Sequence, residues 1–194
     1  MRIALIAMVA VCLLGMQAAA AAPSKVQSKD GSFRLEAKTI MGGENRFVAS
    51  GNAHLYTKDA AAKTTLEAEA ATIVIVIASQ GKAKSGMDIE SAELTGPVKL
   101  VYCADENGAK TKTIATADSA SFNGTTQSAS LLGNVKITHD NPTIFVEPAV
   151  MAGDKATVNL APKLDAHQYR FKVESETGLS TITATPKEKE KKKD

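Results

Sequence analysis

The sequence predicts an all-β fold, a curled stack of antiparallel hairpins, on three observations. Apolar residues alternate with polar ones along most of the chain. A glycine recurs three times in the same strand context. No sustained helical period appears beyond Ser32. In "FRLEA", "PVKLVY", "NVKIT", "ATVNL" and "YRFKVES" every second residue is apolar, which gives a strand one apolar face. Many short strands of this kind, punctuated by turns, build a sandwich, barrel or roll.

The elements follow in order. "MR", then "IALIAMVAVCLLGM", then "QAAAAAPS" is a basic start, an apolar core and a small-residue cleavage site. Residues 1–22 therefore read as a secretory signal peptide cut after Ala20 or Ala21, and the competing reading is an uncleaved anchor over Ile3 to Ala22. Cys12 leaves with the signal, so only Cys103 stays and no internal disulfide forms. Residues 23–185 form the β-domain. Its loops are expected at Met41 to Asn45, Ser79 to Gly86, Ala104 to Lys110, Phe122 to Thr126 and His139 to Pro142. The helix-like run from Lys58 to Ala71 reads as a loop and then a strand, because it continues into "TIVIVIA". Residues 186–194, "PKEKEKKKD", are a charged disordered tail. A formal net charge of +2, with both signs spread along the chain, argues against nucleic acid as the main partner.

Two units alternate. The glycine units are "FVASGNAHL" (Phe47 to Leu55), "AELTGPVKL" (Ala92 to Leu100) and "SASLLGNVKI" (Ser128 to Ile137). The acid units are "LEAKTI", "AEAATI", "ADSASF" and "GDKATV", beginning at Leu35, Ala68, Ala117 and Gly153. In the glycine strands parity turns Ala53, Leu55, Val98, Leu100, Val135 and Ile137 inward and His54, Lys99 and Lys136 outward. Gly51, Gly96 and Gly133 permit a bend or bulge that curls the sheet. In the acid strands the same rule puts Asp118 with Ala120 and Phe122, and Glu69 with Ala71 and Ile73. The acids are therefore expected at strand entries on the open rim, where a carboxylate stays wet.

"ASLLGNVKI" preceded by "ATADSASF" resembles the repeat of the OstA-like, or LptA-type, lipopolysaccharide-transport proteins. The resemblance spans about Phe33 to Leu160, with Ala117 to Ile137 as its best unit. It implies a twisted β-jellyroll, open along one side, whose apolar groove holds the acyl chains of lipopolysaccharide or another amphiphilic glycolipid. It also implies a periplasmic location and end-to-end joining, through terminal strands, with jellyroll proteins of the inner and outer membranes or with further copies. An uncleaved N-terminus would instead imply the membrane-anchored, LptC-type partner.

The expected groove lining is Leu55, Ile75, Val98, Leu100, Phe122, Val135, Ile137, Val158 and Leu160. These are also the residues a closed, ligand-free core would use, so a structural β-domain assembling edge to edge is the alternative. No enzyme motif stands out. His54, His139 and His167 are isolated and read as surface or loop residues, and no G-x-S-x-G elbow or phosphate-cradling loop is present. One acid per strand makes no metal-ligand set, and no cofactor is expected. Cys103 reads as a half-buried structural thiol, and "NGT" at Asn123 as a hairpin turn. "IVIVI" (Ile73 to Ile77) is apolar on both faces, which fits a doubly covered strand or one meeting a second protomer or lipid.

Overall fold

The computed structural model describes residues 22–78, 89–106, 108–161, 164–165 and 167–188. The signal or anchor segment, the Ser79 to Gly86 loop, Asn107 and most of the charged tail lie outside the described residues. Eleven strands form one open antiparallel sheet: β1 (Ser24–Gln27), β2 (Phe33–Ala37), β3 (Thr39–Gly42), β4 (Arg46–Asp59), β5 (Thr64–Ile77), β6 (Ile89–Glu106), β7 (Ala109–Asn123), β8 (Ser128–Asp140), β9 (Phe145–Asn159), β10 (Phe171–Glu174) and β11 (Thr181–Pro186). The order is β1-β2-β4-β5-β6-β7-β8-β9-β10, with β3 also on β4 and β11 also on β9. The ends are split strands. β2 and β3 pair successive stretches of β4, and β10 and β11 pair successive stretches of β9. The run Lys58 to Ala71 is a turn followed by the start of β5, so burial of its alternate residues overrides its helix propensity.

A line of β-bulges crosses the sheet. Gly51–Asn52 on β4 stand opposite Ala71, Gly96–Pro97 on β6 opposite Asp118, and Gly133–Asn134 on β8 opposite Asp154. In each case two residues face one. Gly51, Gly96 and Gly133 have φ of +82°, +91° and +75°, and Asn52 and Asn134 +53° and +47°. The left-handed region explains the Gly-Asn pair, since asparagine is among the few other residues that enter it readily. Proline replaces asparagine after Gly96, at a bulge where a missing N–H is tolerated.

The extra residue has a consequence that alternation alone does not show. On the glycine strands the inward set keeps its parity, as in Leu131, Val135 and Ile137, whereas on the acid strands it shifts by one, from Ala115 and Ala117 to Ala120. The sequence-based parity of the acid strands is thus corrected. Glu36, Glu69, Asp118 and Asp154 all lie on the outer face rather than beside the inward residues that follow them. Ala71 is exposed, and Ala70 and Ile73 are the buried neighbours. Outside, the acids stay hydrated and pin the line. Asp118 Oδ2 accepts a hydrogen bond from Asn134 Nδ2 (2.8 Å), Asp154 Oδ2 accepts from Glu176 N–H (2.9 Å), and Glu69 pairs with Lys99 (3.7 Å).

The bulge line is a crease about which the sheet folds back on itself. His139 and Phe171 show this: their partners on β9, Ala149 and Val158, are nine positions apart, roughly 30 Å along an extended strand. Yet the two rings lie 4.9 Å apart, centroid to centroid. Tyr102 on β6 likewise donates to the carbonyl of Leu160, beyond the end of β9 (3.3 Å). A long limb, holding β2 and the stretches of β4 to β9 on its side, therefore faces a short limb that ends in β3 and β10.

Gly133 is the most constrained point of the crease. A Cβ there would collide with the Asp118 carboxylate and sit 2.9 Å from its Cβ, whereas one at Gly108 (φ +81°) would meet nothing within 4 Å. Gly133→Ala should cost about 1–3 kcal/mol in urea unfolding and more than Gly108→Ala, which carries only the left-handed strain. Equal costs would remove the crowding at the crease as the cause.

Candidate lipid-facing interior

Register aligns the inward residues into rows that cross the strands. On the long limb one complete row runs Val26, Leu35, Leu55, Ala68, Leu100, Ala115, Ile137, Met151 and Ile182. Between it and the crease lie Ala37, Ala53, Ala70, Val98, Ala117 and Val135, mostly small, so the limbs approach closely there. On the short limb, one row is Ile40, Ala49, Ile73, Leu94, Ala120, Leu131, Ala156 and Val173. The next is Gly42, Phe47, Ile75, Ala92, Phe122, Ala129, Val158 and Phe171. Phe122 stands between Ala92 and Ala129, so its ring fits between two small neighbours. None of these four rows contains a polar side chain.

All nine sequence-predicted lining residues fall on this face. Leu55, Ile75, Val98, Val135, Ile137 and Val158 are buried in the core, and Leu100, Phe122 and Leu160 are half-buried against it. Between the limbs lies a void of about 20 Å³, lined from the long limb by residues such as Leu100 and Ala115 and from the short limb by Ala129, Val158 and Leu160. That is room for about one water, and the limbs meet at the His139–Phe171 and Tyr102–Leu160 contacts. A larger cavity, about 380 Å³, lies in the gap where the last strand splits, beside Gly153, Asp154 and the Ser175 to Thr181 connection, and it is more polar.

Two features escaped the sequence reading. The first is the pair Leu94 and Leu131, which join Ile73 and Ala120 in one short-limb row and follow from counting back from Val98 and Val135 on strands that keep their parity. The second is His139, read as a loop residue but buried on β8, with Nδ1 2.9 Å from Thr113 Oγ1. The turn lies just beyond it. There Asn141 Oδ1 accepts bonds from the Thr143 N–H (3.1 Å) and hydroxyl (2.6 Å). Of the "IVIVI" run, Ile73 and Ile75 are buried inside, while Val74 and Val76 are half-buried on the outer face. Cys103 is half-buried on β6. Among the described residues no group of His, Cys, Asp or Glu is placed to hold a metal, and no helix is long and apolar enough to cross a membrane.

The architecture is that of the LptA-like twisted jellyroll. The crystal structure of LptH from Pseudomonas aeruginosa, described as the LptA-homologous periplasmic component of the conserved lipopolysaccharide transport device, matches with a TM-score of 0.55. The match covers 79% of this chain and 95% of that one at 13% identity, so the likeness is one of fold. No family model matches the sequence, and no curated protein matches it.

The interior face and the outer face should respond differently to truncation. Ile137→Ala empties a fully buried site and should cost about 2–5 kcal/mol. Lys136→Ala, one residue away but outside, should stay within about 0.5 kcal/mol. Denaturant unfolding of the two variants checks the assignment, and similar losses would refute it.

Proposed function

We propose that the chain is an exported, non-enzymatic carrier that holds the acyl chains of lipopolysaccharide, or of a related amphiphilic glycolipid, between its two limbs. The supporting observation is the four apolar interior rows beside the crease, one of them crossing nine strands without a polar side chain, in a fold like that of LptH. Apolar burial is non-directional, so it favours a cargo that must be held and still slide. In this reading residues 1–22 direct export to the periplasm and are removed, and residues 23–185 carry the lipid between inner and outer membranes. The free edges at β1 and β3, and at β10 and β11, join neighbouring jellyroll proteins or further copies head to tail.

One observation favours a second reading. The void of about 20 Å³ leaves the limbs packed on one another, as in a structural domain that assembles through its edges and carries nothing. A photoreactive phenylalanine analogue at Phe122 separates the two, with the same group at Lys136 as the outward control. Incubated with lipopolysaccharide and irradiated, the carrier gives a lipid adduct at position 122 and none at 136. A folded protein that yields no adduct at 122 selects the structural reading. Mass analysis of the exported protein that finds Met1 to Ala22 still attached would select the anchored, LptC-type role.

A further inference from the structure

The third long-limb row from the crease differs from the others. It runs Phe33, Thr57, Leu66, Tyr102, Thr113, His139 and Ala149, in register across seven strands. It lies two residues, roughly 7 Å, farther toward the open side than the row of Leu55 and Ile137. Four of its side chains can form hydrogen bonds, while the short-limb row opposite is aromatic and aliphatic. The interior thus has one polar lip and one apolar lip.

We propose that Thr57, Tyr102, Thr113 and His139 form the subsite for the linkage region of the cargo. That region comprises the ester, amide and hydroxyl groups that join acyl chains to a headgroup. This inference rests on the carrier reading above and names what that reading leaves open, the place where the interior recognises the polar end of its lipid. Depth supports it: chains buried against the purely apolar rows leave the linkage at the first row with hydrogen-bonding groups. Chemistry narrows the ligand. Three hydroxyls and an imidazole, with no Lys or Arg in the row, suit carbonyl and hydroxyl groups better than phosphate, which calls for cationic donors. In the structure protein groups occupy these positions. Thr113 Oγ1 and His139 Nδ1 bond each other at 2.9 Å, and the Tyr102 hydroxyl reaches the Leu160 carbonyl at 3.3 Å. Both Tyr102 and Thr113 also border the void between the limbs. Cargo entry exchanges these bonds for bonds to the lipid, so the side chains that join the limbs are also the ones that read the lipid.

The test uses the purified full chain and two lipids with identical chains and headgroup, dimyristoyl phosphatidylethanolamine and its ditetradecyl ether analogue, which lacks the ester carbonyls. Competition for binding is read by native mass spectrometry. The wild type should prefer the ester lipid about fivefold or more, the effect of one or two net hydrogen bonds. Tyr102→Phe and Thr113→Val should each reduce the preference, with the ether lipid bound at least as well as by the wild type, because the bond that entry must break is already gone. Tyr102 is half-buried, so its variant serves alone if Thr113→Val fails to fold. Equal binding of both lipids by the wild type, or a preference that survives Tyr102→Phe, overturns the subsite while leaving the carrier intact. Failure to bind either lipid, or lipopolysaccharide, overturns the carrier reading and the subsite with it.

Discussion

The fold depends on one geometric constraint: three glycine strands each carry a single residue more than their neighbours, and they carry it at the same level of the sheet. An open antiparallel sheet with one apolar face cannot hide that face from water unless something covers it. Here the cover is the other half of the same sheet. Bulges at unrelated levels would add local twist to single strands. Aligned as they are, at Gly51, Gly96 and Gly133, they sum to a crease that brings His139 against Phe171.

Several other features follow from the crease. Strands without the extra residue must change face as they cross it, because a one-residue shift moves every side chain to the opposite side. That places Asp118 and Asp154 outside, where they accept hydrogen bonds from Asn134 and from the backbone of Glu176, rather than inside, where an unpaired carboxylate would cost several kcal/mol or lose its charge. It also explains the small residues beside the crease. Ala53, Ala70 and Ala117 stand where the limbs are closest, and the larger Leu55, Leu100 and Ile137 stand one row farther out, where the space has widened.

Strand identity, the glycine bends and the inward residues of the glycine strands were legible in the sequence because each is a local pattern. Val135 and Ile137 need only their own alternation, and Gly133 only its neighbours. The acid strands were misread because the face of Asp118 is not encoded by its own strand. It is set by the two-against-one pairing with Gly96–Pro97 on β6, which is visible only once the register is known. His139 failed for a different reason: "HDNP" is strong turn chemistry, and the turn forms two residues later, around Asn141 to Thr143. The aligned rows, and the contrast between the lips, arise from seven or more strands paired in register and cannot be read from any one of them.

The direction of those rows bears on how a cargo would travel. They run across the strands, so movement along them passes from strand to strand without meeting a loop or a backbone wall. They also reach the sheet's margins. The row through Leu55 and Ile137 begins at half-buried Val26 on β1 and ends at Ile182 on β11, which is 69% exposed. An apolar row that stays exposed at an unpaired edge is a liability for a protein acting alone. A neighbouring sheet of the same curvature, paired to that edge, would continue the row. The polar lip runs parallel to it at constant depth, so a lipid moving along the apolar rows would find hydrogen-bonding side chains beside it on β4, β6, β7 and β8. On the carrier reading, the arrangement that folds the sheet also supplies the track.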